Sequence, residues 1–434
     1  MLKILHLAKQ NGGRGASECA SLLHCSMKAA GVESALAVMR KTGDDVSVID
    51  LGSLGYERAR HVIAAAYAKP LRSLLRSSAF FYLDSEFITA SRILERLPFR
   101  PDVIIAHWIT SFLTHRTLHD LHRLTGAPVL WYLADMGPLT GGCHYSFDCE
   151  GYAEQCGNCP QLRRAWRSSR DMSHRQWRAR RAAVLDMDIT PVAGSSWLME
   201  CLKKSSVFQG KPGKTILMGL DTSVFQPREQ AKARETLGLP RGKKIVFFGA
   251  CDLQEERKGI RHLVAALNKL HSMLEDAPSL REDVLVVTAG VAKNAAELAI
   301  PFAHRHIGFL QGDAMLAAGY QSADVFVNAS VQDGGPMMIN ESLLCGTPVV
   351  AFDMGVAPDL VHSGRTGYRA RLKDSDDMAA GLRQLLELDG ASRAAMRSEC
   401  RRLAEELCRP AAQVRAFMEI CRERLSRNHT RLQR

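Results

Sequence analysis

Residues 324–352 read DVFVNASVQDGGPMMINESLLCGTPVVAF. Asp324 to Asn328 is an apolar run of strand length. Pro336 to Cys345 carries a helical pattern closed by Gly346, and Thr347 to Phe352 is a second strand that begins at once. Strand, helix and strand in direct succession is the pattern of parallel strands joined by a crossover helix.

The same alternation runs outward from this stretch. Before it lie a strand from Lys244 to Gly249, a helix from Gly259 to Leu274, a strand from Asp283 to Ala289 and a helix from Asp313 to Ser322; after it comes a helix from Met378 to Leu388. An earlier block repeats the alternation. Its strands are Lys3–Leu7, Glu33–Met39, Asp102–His107, Pro128–Leu133 and Asp188–Ala193; its helical stretches are Ala16–Ala30, Phe112–Leu124 and one opening at Ser195. The fold class is therefore α/β, with two doubly wound, Rossmann-like domains facing each other. Gln209, Gly210, Lys211, Pro212 and Gly213 break the pattern. The expected domains are 1–208 and 209–408, with a helix at about 409–434 returning to the first. Ligands of open α/β sheets bind at the carboxyl ends of strands, near the point where strand order reverses.

Composition narrows the partners. The chain has 434 residues, 46% of them hydrophobic and 24% charged, enough for two sizeable cores. Its formal charge is +11, from 57 Lys and Arg against 46 Asp and Glu, which favours anionic partners. The arginines concentrate at Arg163–Arg181, beside Trp166 and Trp177, and at Arg401–Arg434. They read either as solvated helix faces or as peripheral docking on an anionic membrane. No nucleic-acid module accompanies them. No stretch approaches the roughly 20 apolar residues that cross a bilayer, and the N-terminus lacks a signal pattern. The expected location is the cytoplasm, with the inner face of the membrane as a variant of it.

The segment Asp333-Gly334-Gly335-Pro336-Met337 is built to receive an anion. Pro336 suits the first helical turn, where a missing N–H costs nothing. Gly334 and Gly335 allow a close backbone approach, and the free amides of the first turn complete an anion site. Glu341 follows about two turns later, so two carboxylates can hold different parts of one elongated ligand. Arg257-Lys258-Gly259 lies between a strand and a helix, where two cations can neutralise a diphosphate.

This pattern resembles the acidic-x(7)-acidic signature of family-4 glycosyltransferases of the GT-B fold, including the following Cys345-Gly346-Thr347-Pro348-Val349-Val350. The resemblance runs over nearly the whole chain, with weaker matches at Leu217–Thr222 and Asp353–Val361. It implies that Glu341 holds the ribose of a nucleoside diphosphate sugar. Asp333 stands where the family usually has Glu, near the donor sugar. Amides from Gly334 to Met337 face the sugar and diphosphate, and Lys258 contacts the leaving diphosphate. The family often carries Arg directly after the strand glycine; here that residue is Ala250, and Arg257 is the substitute.

In the first block, Asn11-Gly12-Gly13-Arg14-Gly15 joins a strand to a helix, and the resemblance places Gly12 and Gly13 beside the donor phosphates. The run from Asp135 through Thr140 to Tyr145 resembles a subgroup of bacterial exopolysaccharide and lipopolysaccharide glycosyltransferases. That subgroup has an active-site His before the Asp, where this chain has Ala134. Asp135 and Thr140 remain polar candidates on the acceptor side. Cys143, Cys149, Cys156 and Cys159 follow, with five, six and two residues between them. They read as structural zinc ligands, free buried thiols or disulfides, with His144 as an alternative ligand. The fold does not depend on a metal for chemistry.

The expected function is retaining transfer of a hexosyl group from a nucleoside diphosphate sugar to a glycan or lipid-linked hydroxyl in polysaccharide synthesis. A catalytically impaired sugar-nucleotide-binding or scaffold protein and a nucleotide-sugar epimerase are the alternatives.

Overall fold

The structure, a computed structural model, describes residues 1–13, 15–52, 78–84, 88–292, 298–335 and 337–432, with side chains described to residue 427. The chain forms two compact units, Met1–Gly219 with Pro410–Arg434, and Leu220–Arg409.

The first unit is built on seven strands: β1 Lys3–Gln10, β2 Glu33–Arg40, β3 Val48–Asp50, β4 Val103–Ala106, β5 Val129–Leu133, β6 Ile189–Ala193 and β7 Lys214–Thr215. Their order is β3-β2-β1-β4-β5-β6-β7, and every neighbouring pair is parallel. The chain leaves β1 toward one edge and returns to β4 on the other side, so the order reverses between β1 and β4. β4 (VIIA) and β5 (VLWYL) are buried at every residue, as a sheet covered on both faces requires. Helix α1 (Ala16–Ala29) buries Cys19, Ala20, Leu23 and Met27, the spacing of one helical face. Helix α2 (His115–Thr125) starts at a reciprocal cap between Thr114 and Thr117 and stops at Gly126 in the left-handed conformation. In helix α3 (Met172–Asp186), Asp171 caps the N-terminus by accepting from the amides of Ser173 and His174.

The second unit has six parallel strands: β8 Lys244–Asp252, β9 Val284–Val291, β10 Ala303–His306, β11 Val325–Asn328, β12 Val349–Phe352 and β13 Gly367–Ala370. The order is β10-β9-β8-β11-β12-β13, reversing between β8 and β11. Helices α4 (Ile260–Met273), α5 (Asp313–Ser322) and α6 (Met337–Leu344) follow β8, β10 and β11. From Ile339 to Leu344, α6 is buried on every side, polar Asn340, Glu341 and Ser342 included. The last helix, α7 (Pro410–Leu432), belongs to the first unit. There Phe417 packs edge-on to Tyr132 at 5.6 Å, and Arg424 pairs with Asp188 at 2.5 Å.

The unit boundary falls between Gly219 and Leu220, later than the break at Gln209–Gly213. The physical reason is β7, which pairs with β6 and carries the chain past that break. Among the described residues no helix is long and apolar enough to cross a membrane.

Three imidazoles, those of His6, His24 and His107, are buried beside one another in the first unit. His6 Nδ1 lies 3.0 Å from His107 Nε2, and His24 bonds Ser34 and Ser47 through its two nitrogens at 2.7 and 2.9 Å. Burial, aided by Lys28, lowers His24 to about 4; burial, aided by His24, lowers His107 to about 3. The unfolded chain takes up protons below its ordinary histidine pKa of about 6.5 that the native state refuses. Stability is therefore full above that pH and is lost as pH falls from there toward 4. Urea unfolding should give a free energy at least about 2 kcal/mol lower at about pH 5 than above pH 7. His24→Gln should flatten that slope, and an unchanged slope would disprove the assignment.

Candidate functional site

The carboxyl ends of β8 and β11 are where the second unit gathers its charge. After β8 the chain makes a short 3-10 turn, Glu256–Lys258, and enters α4 through Gly259 at φ 74°. A Cβ on Gly259 would stand 1.8 Å from the carbonyl oxygen of Ala329, in the loop after β11. The Val331 amide donates to the Arg257 carbonyl at 2.8 Å. The two loops are thus clasped backbone to backbone.

This clasp delivers both cations to one carboxylate. Arg257 Nη1 and Lys258 Nζ donate to the same Oδ2 of Asp333, at 2.8 and 2.6 Å. Glu255 takes Arg257 from its other side, at 2.6 and 3.3 Å. Burial alone would raise the Asp333 pKa, but Lys258 and Arg257 outweigh it and hold the carboxyl at about 2. Two positive and two negative side chains therefore balance. The cations engage Asp333 and Glu255 rather than standing free. The Lys258 ammonium has one acceptor among the described residues, Asp333, and an ammonium carries three N–H donors.

Glu341 is 1% exposed, and its Oε2 accepts from the Tyr320 hydroxyl at 2.6 Å. Tyr320, on α5, is fixed by the edges of Phe247 and Phe326. Its carbonyl accepts from Thr347 Oγ1 at 2.8 Å. Ahead of α6, Gly334 is buried and Gly335 half-buried, and Met337 opens the helix. Pro336 lies outside the described residues. Ala250, at the position after Gly249, is buried. Sequence reading missed Tyr320 and Glu255, because nothing in their local pattern marks either as a partner of the acidic pair.

The remaining candidates belong to the first unit. Gly12 and Gly13 follow β1; a Cβ on Gly12 would meet Thr42 Oγ1 at 2.6 Å, and Gly13 has φ 90°. Asn11 clasps Thr42 through two hydrogen bonds, 2.8 and 2.7 Å. Arg14 lies outside the described residues. Asp135, just beyond β5, is buried and bonds His144 Nδ1 at 2.6 Å, the Trp108 indole N–H at 3.0 Å and the Gly137 amide at 2.8 Å. His144 Nε2 meets Thr110 Oγ1 at 3.2 Å. A Cβ on Gly137 would lie 3.0 Å from the His144 ring, so the glycine makes room for it. Ala134 lines the same pocket. Thr140 is fully buried, and its hydroxyl donates to the Cys143 carbonyl at 2.6 Å and accepts from the Gly142 amide at 3.1 Å.

The four spaced cysteines are free thiols. Cys143 packs with Cys159, Phe81 and Leu162, and Cys156 accepts from the Gly141 amide at 3.2 Å. Burial pushes the Cys156 thiol up to about 12. Among the described residues no group of three or more His, Cys, Asp or Glu is arranged to hold a metal ion.

Asp333→Ala should cost about 3 kcal/mol of stability, because it leaves two largely buried cations without their shared partner. Its low native pKa adds stability that is complete above about pH 4 and lost as pH falls toward 2. Acid unfolding followed by circular dichroism should show that loss in the parent and a shallower one in Asp333→Asn.

Residues 242–388, within the second unit, match the family model described as glycosyl transferases group 1. The D-inositol 3-phosphate glycosyltransferase of Mycobacterium marinum is 30% identical over 198 residues, 44% of this chain and 41% of that protein. The phosphatidyl-myo-inositol mannosyltransferase of Mycolicibacterium smegmatis is 33% identical over 199 residues, 44% of this chain and 46% of that protein. The match thus spans less than half the length of these relatives. Among solved structures, sucrose-phosphate synthase from Thermosynechococcus elongatus superposes with a TM-score of 0.66 at 16% identity, covering 98% of this chain and 99% of that one. Anabaena HepE in complex with UDP and glucose gives 0.61 at 17% identity, covering 98% and 100%. These likenesses give the fold, which is GT-B.

Proposed function

We propose that this chain, whose residues 242–388 belong to the glycosyl transferases group 1, is a retaining glycosyltransferase. It moves a hexosyl group from a nucleoside diphosphate sugar to a hydroxyl of a glycan or lipid-linked sugar in polysaccharide assembly. The observation that carries the reading is the meeting of Arg257 and Lys258 on Asp333 at the strand-order reversal of the second unit. Ligands of such sheets bind there. The bound nucleotide and sugar in the HepE structure support the choice of donor.

In this reading the bond from the anomeric carbon to the diphosphate oxygen breaks, and its electron pair leaves with the diphosphate. The acceptor oxygen bonds the same carbon on the face the diphosphate left, and its proton passes to the departing phosphate. The protein's task is to stabilise charge on the leaving group. Lys258, with donors beyond the one on Asp333, and Arg257 serve it, and Asp333 holds both in place before the donor arrives. Gly334, Gly335 and Met337, at the start of α6, offer backbone amides to the sugar and diphosphate. Glu341, kept in orientation by Tyr320, accepts from the ribose hydroxyls. Asp135 and Thr140 lie on the acceptor's side, Thr140 through the loop it holds. No metal step enters.

Ala134 favours a second reading, a protein that binds the nucleotide sugar without transferring it. A panel of nucleotide sugars, assayed for binding and for hydrolysis or transfer, separates the two. Turnover in the parent should fall by about 10²- to 10³-fold in Lys258→Met, and Glu341→Gln should raise the donor KM. Binding without turnover establishes the second reading. Absence of binding across the panel sinks both, and an unaffected Glu341→Gln variant sinks the site assignment.

A further inference from the structure

Between residues 163 and 181 the chain carries eight arginines and one acidic residue, Asp171. Asp171 is buried and used as the cap of α3, and Arg180 is paired with Asp84 at 2.9 Å. Arg163, Arg164, Arg170, Arg175 and Arg178 are all exposed, and their side chains make no hydrogen bond or ion pair among the described residues. The other arginine-rich stretch behaves differently. Arg401, Arg402, Arg424 and Arg427 are each tied to a carboxylate, Glu405, Glu399, Asp188 and Glu423 respectively. Among the described residues, four of the seven arginines between 401 and 427 are thus ion-paired, against one of eight, Arg180, between 163 and 181.

The unneutralised stretch also exposes a large apolar ring. Trp166, in the 3-10 turn Arg164–Trp166, is 48% exposed. Arg167 fixes that turn by donating to the carbonyls of Leu162 and Pro160 at 2.8 and 2.7 Å. Gln161 donates to the Tyr145 carbonyl, which anchors the neighbouring loop carrying Phe147, itself 38% exposed. An indole set among unpaired arginines combines two contributions to membrane adsorption: attraction to anionic headgroups and burial of an aromatic ring at their level.

We propose that the Arg163–Arg178 surface of the first unit docks this protein on an anionic lipid bilayer, with Trp166 entering the headgroup layer. A polynucleotide would instead need a basic groove with a series of stacking rings, whereas this surface is a turn and a helix face with two exposed rings. The inference does not depend on the proposed reaction, since it concerns adsorption alone.

The test uses the full chain and vesicles of phosphatidylcholine, with and without phosphatidylglycerol. The parent should co-sediment with the mixed vesicles and not with phosphatidylcholine alone, and salt should release it. Each adsorbed arginine strengthens binding roughly fivefold, so the triple variant R163E/R164E/R170E should bind at least about a hundredfold more weakly. Its thermal melt should be unchanged, because these side chains hold nothing in the fold. Brominated lipid should quench tryptophan emission in the parent and much less in Trp166→Phe. Reversing Arg402 should leave adsorption intact. Undiminished binding by the triple variant, no preference for the anionic vesicles, or tighter binding to an oligothymidylate than to vesicles would each overturn the proposal.

Discussion

The second unit depends on a place where a side chain cannot be. Gly259 lies against the carbonyl of Ala329, and a methyl group there would overlap it. Its left-handed φ of 74° excludes most other residues as well. Because this position is empty, the loop after β8 can lie on the loop after β11, and the Arg257 carbonyl can accept from Val331. The charges at the site are consequences of that contact. Arg257 and Lys258 precede Gly259 directly, and Asp333 follows Val331 by two residues, so the clasp fixes the distance between the cations and the carboxylate.

Burial of such charges is tolerable only when they are paired. An isolated carboxylate as buried as Asp333 would take up a proton; two cations on one oxygen keep it ionised instead. A shared carboxylate has a further consequence. It holds two flexible cationic side chains in one geometry before any anion arrives, which removes ordering that binding would otherwise require. Glu341 is organised differently. Its anchor is a neutral tyrosine hydroxyl held by aromatic packing.

Much of this was legible in the sequence because buried parallel strands are uniformly apolar. β4, β5, β11 and β12 announce themselves, and Pro336, Gly334 and Gly335 mark the start of α6. The strands that escaped reading are β3, β7, β10 and β13, which are the four edges of the two sheets. Edge strands are short, and one side of each faces no partner, so they need no apolar run; β10 reads AHRH. Missing β7 is also what set the domain break too early. Cations and carboxylates of the site were readable as residue types. Their pairing was not, since Arg257 and Asp333 are brought together by a glycine contact that leaves no trace in local pattern.

The first unit shows the same limit from the other side. Position 134, read against the resemblance, lacks an imidazole. Yet the pocket that Ala134 lines is lined by three imidazoles, His107, His115 and, from the loop that follows, His144. Asp135 receives His144 Nδ1, Gly137 leaves room for the ring, and Trp108 and Thr110 from the end of β4 complete its surroundings. A position-by-position comparison registers a loss at 134. The folded chain brings imidazoles to the same pocket from other positions, because what a pocket contains is set by which side chains converge on it and not by the order in which the chain supplies them.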